Sequence, residues 1–163
     1  MGMMNIEVIA LPALFAAGAA ENARLDVDIP IPRSLGSGYG SARCKINSLV
    51  IVSADNHAWE VAFWSSAARS SLAAPNTWNT WLGSWPFTVG DGVQYGATGS
   101  FYYYEPNFDL PYRDDDAGAN LATYPNNVVG LIHISLVDRT GTFTAGHSLL
   151  LKLYCQPEAY EGA

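Results

Sequence analysis

Between Leu25 and Ile31, apolar side chains take every second place (Leu25, Val27, Ile29, Ile31), while Asp26, Asp28 and Pro30 fill the positions between them. A period of two belongs to a strand, whose successive side chains point to opposite faces, so one face is built for a core and the other for water. Pro30 and Pro32 cannot donate to a sheet ladder, so this strand belongs at a sheet edge or ends there. The carboxylates and prolines also discourage pairing with stray strands.

Other segments carry the same preference. Cys44 to Ser53 is rich in Ile and Val, the turn Asp55-Asn56-His57 follows, and Trp59 to Trp64 resumes a β pattern, so a hairpin is expected there. Gln94 to Tyr104 fits a strand with a bulge or a close backbone approach at Gly96 and Gly99. Val128 to Val137 is apolar on both faces, as in a central strand. Ser148 to Cys155 alternates Leu149, Leu151 and Leu153 with Leu150, Lys152 and Tyr154, and Ile6 to Ile9 adds a short strand. The Ala- and Ser-rich run from Ser65 to Ala74 offers at most one helical turn before Pro75.

These runs predict an all-β fold: an antiparallel β-sandwich, jelly-roll-like, with seven or eight strands and long loops. One domain is expected, residues 23–163, preceded by an N-terminal arm with a short strand over residues 1–22. A chain of 163 residues can bury roughly 70% of its unfolded surface, which is enough for a core without staples.

Charged residues are only 14% of the chain, against about 25% in ordinary soluble domains, while five Trp, nine Tyr and six Phe are present. A surface so poor in charge is suited to cover by neighbours. The net charge of −7 and the scattered basic residues argue against nucleic acid, whose phosphates require concentrated cation, and against an anionic membrane. The apolar stretch Val8 to Ala20 ends in small residues like a signal peptide, but Glu7 and not a cation precedes it, and Pro12 interrupts it. It is also shorter than the about 20 residues that span a bilayer, so an intracellularly made, non-membrane protein is expected.

Chemistry-bearing motifs are sparse. His57, His133 and His147 are far apart, and His133 inside an apolar strand reads as a hydrogen-bonded structural histidine. Cys44 and Cys155 read as small buried thiols more readily than as a disulfide. No Gly-x-Ser-x-Gly elbow occurs, and Gly36 to Gly40 lacks the Lys that follows a phosphate loop. Asp109 and Asp114-Asp115-Asp116, in a long turn-rich stretch from Glu105 to Asn127, are the best cation ligands, yet a solvated acidic tip, or one that pairs with a partner's Arg, is the preferred reading, and no metal or cofactor is expected. No catalytic residue can be nominated and no enzyme is expected; a hydrolase built on paired carboxylates is a distant third reading. Trp78, Trp81, Trp85 and Tyr102 to Tyr104 suit either core and subunit contact or the stacking of sugars.

Leu25-Asp-Val-Asp-Ile-Pro-Ile-Pro32, the strand Trp59 to Trp64 and Leu131-Ile-His-Ile-Ser-Leu-Val-Asp-Arg139 together resemble the small jelly-roll proteins that decorate or cement the capsids of tailed bacteriophages. The resemblance implies a virion structural protein on the capsid surface, made in the host cytoplasm, bound to major capsid protein and to its own copies as a homotrimer. The expected interface comprises Ile6, Val8, Leu11, Leu14 and Phe15 of the arm, with Trp78, Trp81, Trp85, Tyr102 and Tyr104. A carbohydrate-binding, lectin-like module using Trp-rich loops is the alternative.

Overall fold

The computed structural model describes residues 7–15, 21–33, 35, 42–69, 75–94, 100–117, 127–141 and 147–157, with backbone alone for 7–15, 75–77 and 147–148. Ten strands are present among them: β1 Glu7–Phe15, β2 Ala23–Pro32, β3 Arg43–Ser53, β4 Trp59–Trp64, β5 Trp81–Phe87, β6 Val93–Gln94, β7 Phe101–Glu105, β8 Leu110–Arg113, β9 Val128–Asp138 and β10 His147–Gln156. They form two antiparallel sheets. One runs β1-β10-β3-β7-β6, with β8 beside β7 on the same edge of β3, and the other runs β2-β9-β4-β5. The early strands pair with the late ones in nested order, β1 with β10 and β2 with β9, as in a long hairpin rolled into a jelly-roll sandwich.

The alternation seen in the sequence places the core. Ile29 and Ile31 from β2, Leu49 and Ile51 from β3, Trp59, Val61 and Phe63 from β4, Ile132, Ile134 and Leu136 from β9, and Leu149, Leu151 and Leu153 from β10 all pack into one cluster between the sheets. β2 lies at a sheet edge as its prolines require, and β9 is central, flanked by β2 and β4. Cys44 and Cys155 are both buried and are not joined in a disulfide. No helix among the described residues is long and apolar enough to cross a membrane.

Five expectations are corrected. β3 and β4 do not form a hairpin, because the turn between them carries the chain from one sheet to the other. Gln94 to Tyr104 is not one strand: β6 and β7 run antiparallel, with Val93 opposite Tyr102. The tryptophan-rich stretch is not all loop, since Trp81 and Trp85 stand on β5. The polar stretch after Glu105 contains β8, which pairs with the first half of β3 where β7 leaves off. The short strand foreseen at Ile6 to Ile9 runs on to Phe15, paired throughout with β10.

Candidate functional site

The two sheets treat their outer faces differently, and that difference defines the candidate sites. On the smaller sheet the outward residues include Arg24, Asp26 and Asp28 of β2, His133 and Ser135 of β9, and Trp64 of β4. Trp64, His133 and Ser135 are nevertheless buried. The chain leaving β4 folds back over this face: Arg69 donates to the Val27 carbonyl at 2.8 Å and to Asp28, and Trp78 sets its ring edge-on to Trp64 at 5.8 Å. A charged row thus lies beneath a third layer.

His133 is at its centre. Its Nδ1 lies 2.8 Å from Asp28 Oδ1 and its Nε2 3.0 Å from Asp114 Oδ1. Only the doubly protonated ring donates to both carboxylates. Burial opposes that charge, but the hydrogen bonds to Asp114 and Asp28 outweigh it and hold the His133 pKa above its ordinary value. Tyr112 closes the cluster from β8: its hydroxyl accepts the His133 backbone N–H at 2.9 Å and lies 2.9 and 2.8 Å from the carbonyls of Trp64 and Leu131. Burial drives the Tyr112 pKa far above that of a free phenol, so it stays neutral. Farther along the row, the Trp64 indole donates to Ser135 at 3.0 Å and Ser135 donates to Asp26 at 2.6 Å.

Asp114, Asp116 and His133 each bring one possible ligand atom within 4.8 Å of the others. The expected solvated tip is corrected here, because the Asp114 side chain is fully buried. Its Oδ2 accepts the Leu131 N–H at 2.8 Å and its Oδ1 the Asp116 N–H at 3.0 Å, while Asp116 accepts from Ser66 and from the Ala67 N–H at 2.8 Å. Each carboxylate already accepts backbone donors, and a protonated imidazole cannot ligate a metal. The cluster's chemistry is to tie β2, β8, β9 and the crossing segment together. Asp109 lies apart from it, paired with Lys45 at 3.5 Å.

The larger sheet's outer face is apolar. Leu150 on β10, Val52 on β3, Tyr102 on β7 and Val93 on β6 make one cross-strand row. Lys152, Val50 and Tyr104 make the next. Tyr104 is 55% exposed and Val93 53%. In a two-layer sandwich the face turned from the core is ordinarily polar. On this face Tyr104 and Val93 are exposed, Leu150, Lys152, Val52 and Tyr102 are half-buried, and Val50 is buried.

The residues singled out in the sequence fall into separate groups. Tyr102 and Tyr104 stand together on that apolar face. Trp78 and Trp81 form a tilted pair with ring centres 5.7 Å apart, and Trp81 is 40% exposed. Trp85 turns inward, edge-on to Phe108, and packs against the core. Val8, Leu11, Leu14 and Phe15 occupy β1, opposite Tyr154, Leu151, Ser148 and His147, while Ile6 lies outside the described residues. Sequence reading missed Val50, Val52, Leu150 and Lys152. The signal was available in β10, whose second face is Leu150, Lys152 and Tyr154.

No protein-family model matches the chain, and no curated protein matches it significantly. Among solved structures, a chain of maize chlorotic mottle virus, determined by single-particle analysis, is 12% identical, with 96% of this chain and 97% of that chain covered and a TM-score of 0.27. A chain of Desmodium yellow mottle tymovirus is 9% identical over 99% of this chain and 94% of that one, with a TM-score of 0.21. Scores this low bear no functional inference, and the residues of this chain must supply it.

Proposed function

We propose that this protein is a virion structural component that decorates or cements a phage capsid through noncovalent contacts with major capsid protein and with its own copies, as a homotrimer on the capsid surface. The observation that supports this reading is the apolar outer face of the larger sheet. A sandwich that needs only one buried interior has built a second greasy surface, and the chain carries too little charge to mask it. Its jelly-roll path is shared by viral capsid and lectin domains, which is an argument by analogy of fold. Made in the host cytoplasm, such a protein would stabilise a shell by binding the assembled lattice in preference to free subunits.

The proposed contact set joins Tyr102 and Tyr104 on the sheet face to Trp78 and Trp81 beside β5 and to the edge strand carrying Val8, Leu11, Leu14 and Phe15. Ile6 precedes that strand, and Trp85 serves the interior. Light scattering on the purified protein tests the reading: three times 17.5 kDa, and co-sedimentation with capsids, are the expected results. Capsids that tolerate heat equally well with and without the protein would defeat the cementing role. Deleting Met1–Ala20 is a poor test, because it also strips the larger sheet of β1.

One observation favours the lectin alternative, the exposed ring of Trp81 beside Trp78. If Trp81→Ala abolishes binding on a glycan array while the native mass is unchanged, that alternative replaces the structural role.

A further inference from the structure

Arg43 on β3 and Arg113 on β8 are register partners. Residues directly opposite across an antiparallel pair share a face, so these two guanidiniums stand side by side on the outer surface, and both residues are exposed. Like charges so placed repel, and the fold relieves the repulsion only in part. Arg24, Arg69 and Arg139 each donate to a carboxylate. Arg113 reaches Asp115 through Nε alone, at 3.2 Å, and Arg43 makes no ion pair among the described residues. Lys45, on the same face of β3 and opposite Pro111, adds a third cation, whose carboxylate Asp109 is 3.5 Å away. Far apart in sequence, three of the eight Lys and Arg in a chain of net charge −7 thus meet on one patch.

The arginine pair borders a recess. A cleft of about 240 Å³, lined by Arg43, Leu82, Pro111, Tyr112 and Arg113, opens at the flank of the sandwich. It lies between β8, paired with β3 alone among the described strands, and β5, the last strand of the smaller sheet. Sites for drug-sized ligands hold about 300–1,000 Å³, so this one suits a group of a few heavy atoms and not a nucleotide. Leu82 and Pro111 give it an apolar wall, beside which attraction between opposite charges is stronger than in open water. Each guanidinium presents paired N–H donors in a planar fork that matches two oxygens of one anion. Two opposed forks therefore match an anion with several oxygens.

The geometry points to an oxyanion site: the cleft between β5 and β8 takes a small anion of the phosphate, sulfate or carboxylate class, held between the guanidiniums of Arg43 and Arg113. An anion there neutralises two cations that otherwise repel each other. The residues of this cleft are outside the apolar rows proposed for subunit contact, and the site does not depend on that use.

Arginine side-chain and backbone amide NMR shifts, followed while sodium phosphate is added at fixed ionic strength, test the site. Saturable shifts are expected at Arg43, Arg113 and Leu82. Shifts that rise without saturating, or that sodium chloride reproduces, would reduce the effect to screening of exposed charge and overturn the site. Arg43→Gln and Arg113→Gln should each weaken phosphate binding by about ten-fold or more, the effect of losing charge-assisted hydrogen bonds. Both residues are exposed, so thermal midpoints should stay nearly unchanged. Arg43→Lys keeps the charge without the fork and should still weaken binding several-fold. Lys152→Gln removes a cation farther along the same sheet and should leave the affinity unaltered; an equal loss there would mean that net charge alone attracts the anion. If phosphate, sulfate and acetate all fail to bind while Arg43→Gln weakens self-association in sedimentation velocity, the arginines take a carboxylate of another copy and the small-anion site is wrong.

Discussion

His133 carries the most consequential single-residue chemistry in the fold. Its pKa is higher folded than unfolded, because Asp114 and Asp28 more than offset the penalty of burial. Such a group contributes its full stabilisation below its unfolded pKa, about 6.5, and loses it as pH rises through the folded value. Urea midpoints should therefore fall from about pH 6 to about pH 9, and the difference between the protein and His133→Gln should shrink over the same range. A difference that is flat with pH would mean the ring is neutral in the fold. At about pH 6 the substitution should cost about 3–5 kcal/mol, since it leaves two carboxylates facing a lost cation. That a histidine within Leu131 to Leu136 must be hydrogen-bonded was legible in the sequence, because a buried polar group cannot go unpaired. Its partners were not, because Asp28 is 105 residues away and Asp114 is 19. The aspartates looked like a solvated triplet, and only the fold brings Asp114, just after β8, against Leu131 and His133 of β9 and buries it.

At the scale of elements, legibility followed side-chain periodicity. β2, β9 and β10 stood out because alternation or unbroken apolar character ran for seven or more residues in each. β5 and β8 did not. Gly83 and Pro86 interrupt β5, Pro111 sits in β8, and both strands are at the flanks of their sheets, where such residues are tolerated. The turn after Ser53 misled because a short connection can close a hairpin or step between sheets, and local sequence does not separate the two. One tight point in the fold is Gly130 on β9. A Cβ there would lie 2.4 Å from Ala42 Cβ and 3.1 Å from Asp114 Oδ2. Gly130→Ala should destabilise by about 1–3 kcal/mol in urea titration, through overpacking that also pushes Asp114 away from Leu131. Gly90→Ala is the control: its Cβ would meet only Thr88 Oγ1, at 3.6 Å, and the midpoint should hardly move. Equal effects at the two sites would show that the close approach is not rigid.

For the whole molecule, two opposing terms would govern the proposed association of copies. The apolar face favours association, and a net charge of −7 on every copy opposes it. Salt screens the second and leaves the first intact or strengthened. Raising salt from about 20 mM to about 0.5 M should therefore strengthen self-association, and cooling should weaken it, because apolar contact loses its driving force in the cold. An assembly held mainly by exposed ion pairs would respond to salt in the opposite direction. Replacing both Val93 and Tyr104 by Lys removes the apolar term directly. Both are exposed, so the thermal midpoint of the fold should shift little, within about 0.5 kcal/mol per site, while the assembled species disappears at every salt concentration. If the variant still assembles at low salt, the apolar rows on β6 and β7 are not the contact and the surface must be sought on another side of the sandwich.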